Sequence, residues 1–200
     1  MEGKNMVKSE SESRRVKMTK RMLKDALIEL MEEKPLAAVS VTDLCKLADV
    51  NRSTFYSYYN DTIELLKEIE NDVIEKIPVA DAKRQRIGLD QRLIEDFTQF
   101  FSYVRKNARV FNILLQTGGV HFSECLTGAV MQRFPKLGQE VTNPLLTRWE
   151  YIYAISGVIS MMREWIRGGF PLEDRAFAEL ALQMSFSAND APLLQSSDAK

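Results

Sequence analysis

From Thr19 onward apolar residues recur at Met22, Leu23, Ala26, Leu27, Leu30 and Met31, with Lys24, Asp25, Glu29, Glu32 and Glu33 between them. A 3.6-residue stripe of this kind predicts an amphipathic helix of about four turns. It stops at Lys34-Pro35, because the residue before a proline is pushed out of helical geometry. Ser40 then stands where it can cap a second, brief helix with Leu44, Cys45, Leu47 and Ala48 inward, and Asp43 favours its positive end. Asp49-Val50-Asn51 breaks the pattern, and Asn51 is a suitable cap for a third helix from Arg52 through Tyr59. Two short helices joined by a three-residue turn, behind a longer one, predict a helix-turn-helix. Phe55 and Tyr59, one turn apart, face inward; Arg52, Ser53 and Tyr56 face outward, with Thr54 and Tyr58 at the edge.

Asp61 caps a fourth helix, from about Thr62 to Ile77, with Ile63, Leu66, Ile69, Val73 and Ile77 as its seam and Glu64, Glu68, Glu70 and Glu75 outside. Pro78 ends it. Helices are expected over about 90–106, 108–116, 123–134 and 143–167, and a last one after Pro171 with Ala176, Phe177, Leu180, Ala181 and Met184 on one face. The fold class is therefore all-α: an N-terminal three-helix helix-turn-helix domain followed by a second α-helical domain. The expected boundaries are a flexible basic lead-in over 1–15, the DNA-binding domain over 16–77, a linker over 78–89, the helical domain over 90–188 and a tail over 189–200. From Tyr151 to Met162 the long helix is uncharged on every side. It is too short to span a membrane and must be covered by protein all round. A second copy supplies that cover, which predicts a homodimer through the last two helices.

Composition adds limits. The 200 residues are 45% hydrophobic with a net charge of −1, ordinary for a soluble globular chain. Residues 1–24 carry +5, which leaves −6 for the rest. A small basic front end on a mildly acidic body suits an anionic partner for the first segment. Cys45 and Cys125 fit two buried thiols rather than a disulfide scaffold. With His121 the one histidine, neither a zinc site nor a His-based catalytic scheme is provided for. There is no Gly-rich phosphate loop and no nucleophile-base spacing, so no enzyme, metal or cofactor is expected. No signal or spanning segment stands out, and a cytoplasmic protein is expected.

The stretch VSVTDLCKLADVNRSTFYSYYNDTIELL, Val39 to Leu66, with the preceding helix TKRMLKDALIELMEEK, resembles the tetracycline-repressor (TetR/AcrR) family of transcriptional regulators. The later run IYAISGVISMMREWIRGGFP is similar to the penultimate helix of a subset related to activators of dihydroxyacetone-kinase operons. The resemblance implies a dimer that reads a palindromic operator on double-stranded DNA, with C-terminal helices that hold a small effector and change the spacing of the reading heads. It places Thr42, Arg52 and Ser53 where the family touches bases, and Ser40, Thr54, Tyr56 and Tyr58 where it touches phosphate. Two positions depart from the pattern. Asp49 stands where the family usually has Gly, and Thr62 stands at a DNA-contact position where a phosphate-binding Lys is usual. The lost charge could be shifted to Arg14, Arg15, Lys17, Lys20 and Arg21.

These residue types suit the role. Arg and Ser hydrogen-bond base edges, and Thr and Tyr hydroxyls reach phosphate oxygens. For the effector pocket the candidates are Phe97, Phe101, Phe111, Phe122, Trp149 and Tyr153, large side chains on helices that should face one another, with His121 as a polar tip. The function expected is that of a repressor; the alternative is a co-regulator of the same fold that acts through a protein partner without specific DNA binding.

Overall fold

The computed structural model describes the backbone of residues 2–79, 91–117, 119–133 and 144–190. Most of the expected linker and tail, together with Asn143 and the His121 side chain, lie outside the described residues. The chain divides into two compact units, Met1–Val73 and Ile74–Lys200. Among the described residues every regular element is helical.

In the first unit α1 spans Glu2–Glu33, α2 Val41–Leu47, α3 Arg52–Tyr56 and α4 Thr62–Ile74. α1 begins well before the apolar stripe that announces it, in a sequence of mostly charged and polar residues without a 3.6-residue apolar period. A single 3-10 turn at Leu36–Ala38 follows Pro35. The core gathers Leu23, Leu27 and Met31 of α1, Leu44 of α2, Phe55 and Tyr59 around α3, and Leu65, Ile69 and Val73 of α4.

α4 departs from the expected seam: Ile63 is half-exposed, whereas Leu65, Thr62 and Glu70 are buried. The reason is its ion pairing with α1. Glu68 lies 2.9 Å from Lys20 and 2.8 Å from Lys24, and Asp72 lies 2.6 Å from Lys24. These pairs set the rotation of α4 about its axis.

The second unit holds α5 Gln91–Lys106, α6 Ala108–Thr117, α7 Gly119–Arg133, α8 Pro144–Arg167 and α9 Asp174–Asp190. α5 packs on α9, and α8 on α7 and α9. The α8–α9 connection is pinned by Trp165, stacked on Phe177 at 4.3 Å and donating from Nε1 to the Leu172 carbonyl. Arg105 pairs with Asp174 at 2.6 Å and lies over the Trp165 and Phe170 rings. These contacts hold Phe170 at φ 64°, left-handed backbone that a residue with a Cβ rarely adopts.

α8 is covered on one side only. Tyr151, Ile155, Ile159 and Met162 face inward, while Trp149, Ile152, Tyr153, Ser156, Gly157 and Ser160 are exposed. α9 divides in the same way: Phe177, Ala178, Ala181 and Leu182 are buried, and Ala176, Leu180 and Met184 are not. The single apolar face expected for α9 is thus two faces.

Candidate nucleic-acid interface

The turn between α2 and α3 depends on Asp49, whose φ is 52°. That left-handed residue reverses the chain, and the Val50 N–H donates to the Cys45 carbonyl to close the turn at 3.0 Å. Ser40 caps α2 by accepting from the Asp43 N–H at 3.0 Å. The Asp43 carboxylate also pairs with Lys34 at 2.9 Å. The hydrogen bonds from Lys34 and from the Ser40 cap hold the Asp43 carboxyl below its ordinary range.

Asn51 occupies the cap position of α3 but makes no capping hydrogen bond with its side chain. α3 is short, and the chain continues as a turn through Ser57, whose hydroxyl donates to the Thr54 carbonyl at 2.6 Å. Asp61 caps α4 by accepting from the Glu64 N–H at 2.8 Å. Glu64 reaches back to the Asn60 N–H at 2.7 Å, so two orphan donors are satisfied reciprocally.

This scaffold presents Ser40, Thr42, Arg52, Ser53 and Tyr56 as exposed side chains, with Thr54 and Tyr58 partly so. Tyr56 is 50% exposed while Phe55 beside it is fully buried, so its hydroxyl is open to a partner. Tyr58 is steadied by Lys20, whose ammonium lies 5.9 Å from its ring centre and 5.2 Å from that of Tyr59. Two exposed polar side chains on these elements, Asn51 and Lys46, were not singled out by the sequence pattern. Asn51 was absorbed by its expected capping role, and Lys46 resembled any solvated lysine.

Thr62 differs from the other candidates. It is the first residue of α4 and is buried, 8% exposed. Lys20 is also committed, to Glu68, and Arg21 lies 3.7 Å from Asp25. Of the cations considered as substitutes for the missing lysine, Arg14, Arg15 and Lys17 are exposed.

The clamp beneath α3 has a clear electrostatic signature. Burial disfavours the charged form of Glu68, but hydrogen bonds from Lys24 and Lys20 outweigh it and bring the carboxyl down to about 2. Burial similarly opposes the Lys24 charge, and Asp72 and Glu68 more than offset it, so this ammonium is held above its ordinary value. Burial and the neighbouring Glu68 carboxylate push the Tyr59 phenol far up. Burial also raises the Cys45 thiol, against the nearby Arg52 charge, which keeps that thiol neutral.

The effector candidates scatter. Phe97 and Phe101 line one apolar cavity in the second unit. Phe111 and Phe122 are fully buried outside that lining, whereas Trp149 and Tyr153 are 57% and 72% exposed. Among the described residues no cluster of His, Cys, Asp and Glu could hold a metal ion. Nor is any described helix long and apolar enough to cross a membrane.

Residues 23–69 match the family model for bacterial regulatory proteins of the tetR family. No curated protein matches the chain. Among solved structures, a TetR transcriptional regulator from Streptococcus agalactiae superposes with a TM-score of 0.63 at 21% identity, over 88% of this chain and 98% of that one. NalD, the secondary repressor of the MexAB-OprM multidrug efflux pump in Pseudomonas aeruginosa, gives 0.58 at 18% identity over 85% and 95%. The dihydroxyacetone kinase operon activator DhaS gives 0.56 at 19% identity over 84% and 94%, which meets the expected likeness at the level of fold. The chain thus carries, over residues 23–69, a stretch that matches the tetR-family model, and along most of its length it has the fold of the solved TetR-family regulators.

Proposed function

We propose that the protein represses transcription by binding a palindromic operator as a homodimer, and that a small-molecule effector held by the second unit releases it. The observation that carries this reading is the outward face of α3. Arg52, Ser53 and Tyr56 project from a helix whose inner side is locked by Phe55 and whose entry is set by the Asp49 turn. A rigid short helix with an arginine at its first position suits a major groove, where such a side chain forms a bidentate pair with guanine. Arg52, Ser53 and Thr42 read bases; Ser40, Thr54, Tyr56 and Tyr58 hold phosphates and fix the register.

Retardation of the gene's own upstream DNA over a salt series tests the reading. Binding should weaken as log affinity against log salt with a slope of about −0.9 for each phosphate neutralised. With Thr62 buried and Lys20 paired, a shallow slope is expected, carried by Arg14, Arg15 and Lys17. If no upstream fragment is retarded even at low salt, a regulator acting through a protein partner takes its place.

A further inference from the structure

Between α5, α7, α8 and α9 the second unit holds a partly open cavity of about 110 Å³, with Ile77 on its border. We propose that this cavity is the effector site and that its ligand is an uncharged, compact apolar molecule on the scale of a single aromatic ring. The assignment deepens the effector response proposed above and rests on it.

Three aromatic rings of α5 form one wall. Phe97, Phe100 and Phe101 lie within 6.5 Å of one another, centre to centre, at mutual angles from 39° to 80°. Such a wall offers both edges and faces to an arene. Aliphatic side chains of α7 and α8 complete it, Val158 among them.

Among the described residues no charged side chain lines this space, and the hydroxyl groups in its lining belong to Tyr151 and Ser185. The Ser185 hydroxyl donates to the Ala181 carbonyl at 2.7 Å, so its proton is already used and it can only accept. An ammonium, a carboxylate or a polyol would be stripped of water here without replacement partners, which disfavours all three strongly. An apolar ring loses nothing on entry. Cavities of about 150 Å³ lined by Leu, Ile and Phe stay dry and take up benzene, and the space here is of that order.

The test uses the full chain and the melting temperature as readout, with benzene, benzoate, benzylammonium and glycerol as probes. Benzene at a few times its Kd should raise Tm by about 2–4 °C, and the other three should not. Val158→Phe, which fills the space from α8, should abolish the shift; Ala154→Leu fills it separately and serves should the first variant fail to fold. The proposal is overturned if benzene gives no shift, if benzoate or benzylammonium matches it, or if the shift survives in a folded, filled variant. DNA retardation is read separately. Benzene binding by a protein that retards no DNA sinks the regulator reading and leaves the ligand class standing. Retardation relieved by benzoate and not by benzene overturns the ligand class and leaves the regulator.

Discussion

Asp49 holds a left-handed backbone at φ 52° in the turn on which the α2–α3 geometry depends. The Cβ costs about 1–2 kcal/mol there, and Asp is among the few residues that recover part of this through local hydrogen bonding. Asp49→Gly removes the clash but adds freedom to the unfolded chain, so a net gain of about 0.5–1 kcal/mol is expected. Asp49→Ala keeps the clash, loses the polar group and should destabilise. Urea unfolding of both variants checks the order, and a destabilised glycine variant would show that the Asp49 side chain holds the turn by its own contacts. Arg52 is the complementary case, exposed and outside the core. Arg52→Ala should leave Tm within about 1 °C and lose about 1–3 kcal/mol of discrimination at one base pair per half-site. Unchanged selectivity across a panel of operator variants would remove Arg52 from the base-reading set.

At the level of elements, α1 and α4 are joined by the Lys20, Lys24, Glu68 and Asp72 cluster, and the charge of Glu68 also bears on Tyr59, just beyond α3. The Glu68 carboxyl is lowered from 4.5 to about 2 in the folded chain. Its contribution is therefore complete above about pH 4.5 and lost as pH falls through 2. Lys24 works in the opposite sense: its share is complete below 10.5 and lost as pH rises past its raised folded value. Glu68 is 30% exposed, and after allowing for solvent screening Glu68→Gln should cost about 1–2 kcal/mol at pH 7. The gap from wild type should narrow between pH 4.5 and 2; urea titrations at pH 7 and pH 3 that gave the same gap would refute the clamp. This cluster also marks where sequence reading stopped. Caps, a proline stop and a 3.6-residue stripe are local, so the helices and the outward side of α3 were legible in Ser40, Asn51, Phe55 and Tyr59. The rotation of α4 was not, because Ile63 and Leu65 are equally apolar and ion pairs 48 residues apart in sequence decide between them. The cavity was hidden for the same reason: its walls come from four helices, and only their packing separates Phe97 and Phe101 from Phe111 and Phe122.

For the whole molecule, the uncovered side of α8 is the main consequence of the fold. Trp149, Ile152 and Tyr153 are followed along the same side by Ser156, Gly157 and Ser160, and Leu180 and Met184 are exposed on α9. An apolar band that turns to small residues allows a second helix to approach closely at the narrow end while large side chains interdigitate at the other. Gly157 separates this reading from a merely exposed surface. A Cβ built there meets nothing within 4 Å in its own chain, so substitution is free within a protomer. Replacing a helix-interior glycine by leucine should even stabilise an isolated protomer, by up to about 1 kcal/mol. Across a twofold interface the same leucine would be introduced twice at the point of closest approach, and overpacking there costs about 1–3 kcal/mol per insertion. Gly157→Leu should therefore shift the chain toward monomer in sedimentation experiments and weaken retardation of a palindromic operator, while helical content is retained. A Gly157→Leu protein that stays dimeric with a raised Tm would place the interface away from this stretch of α8.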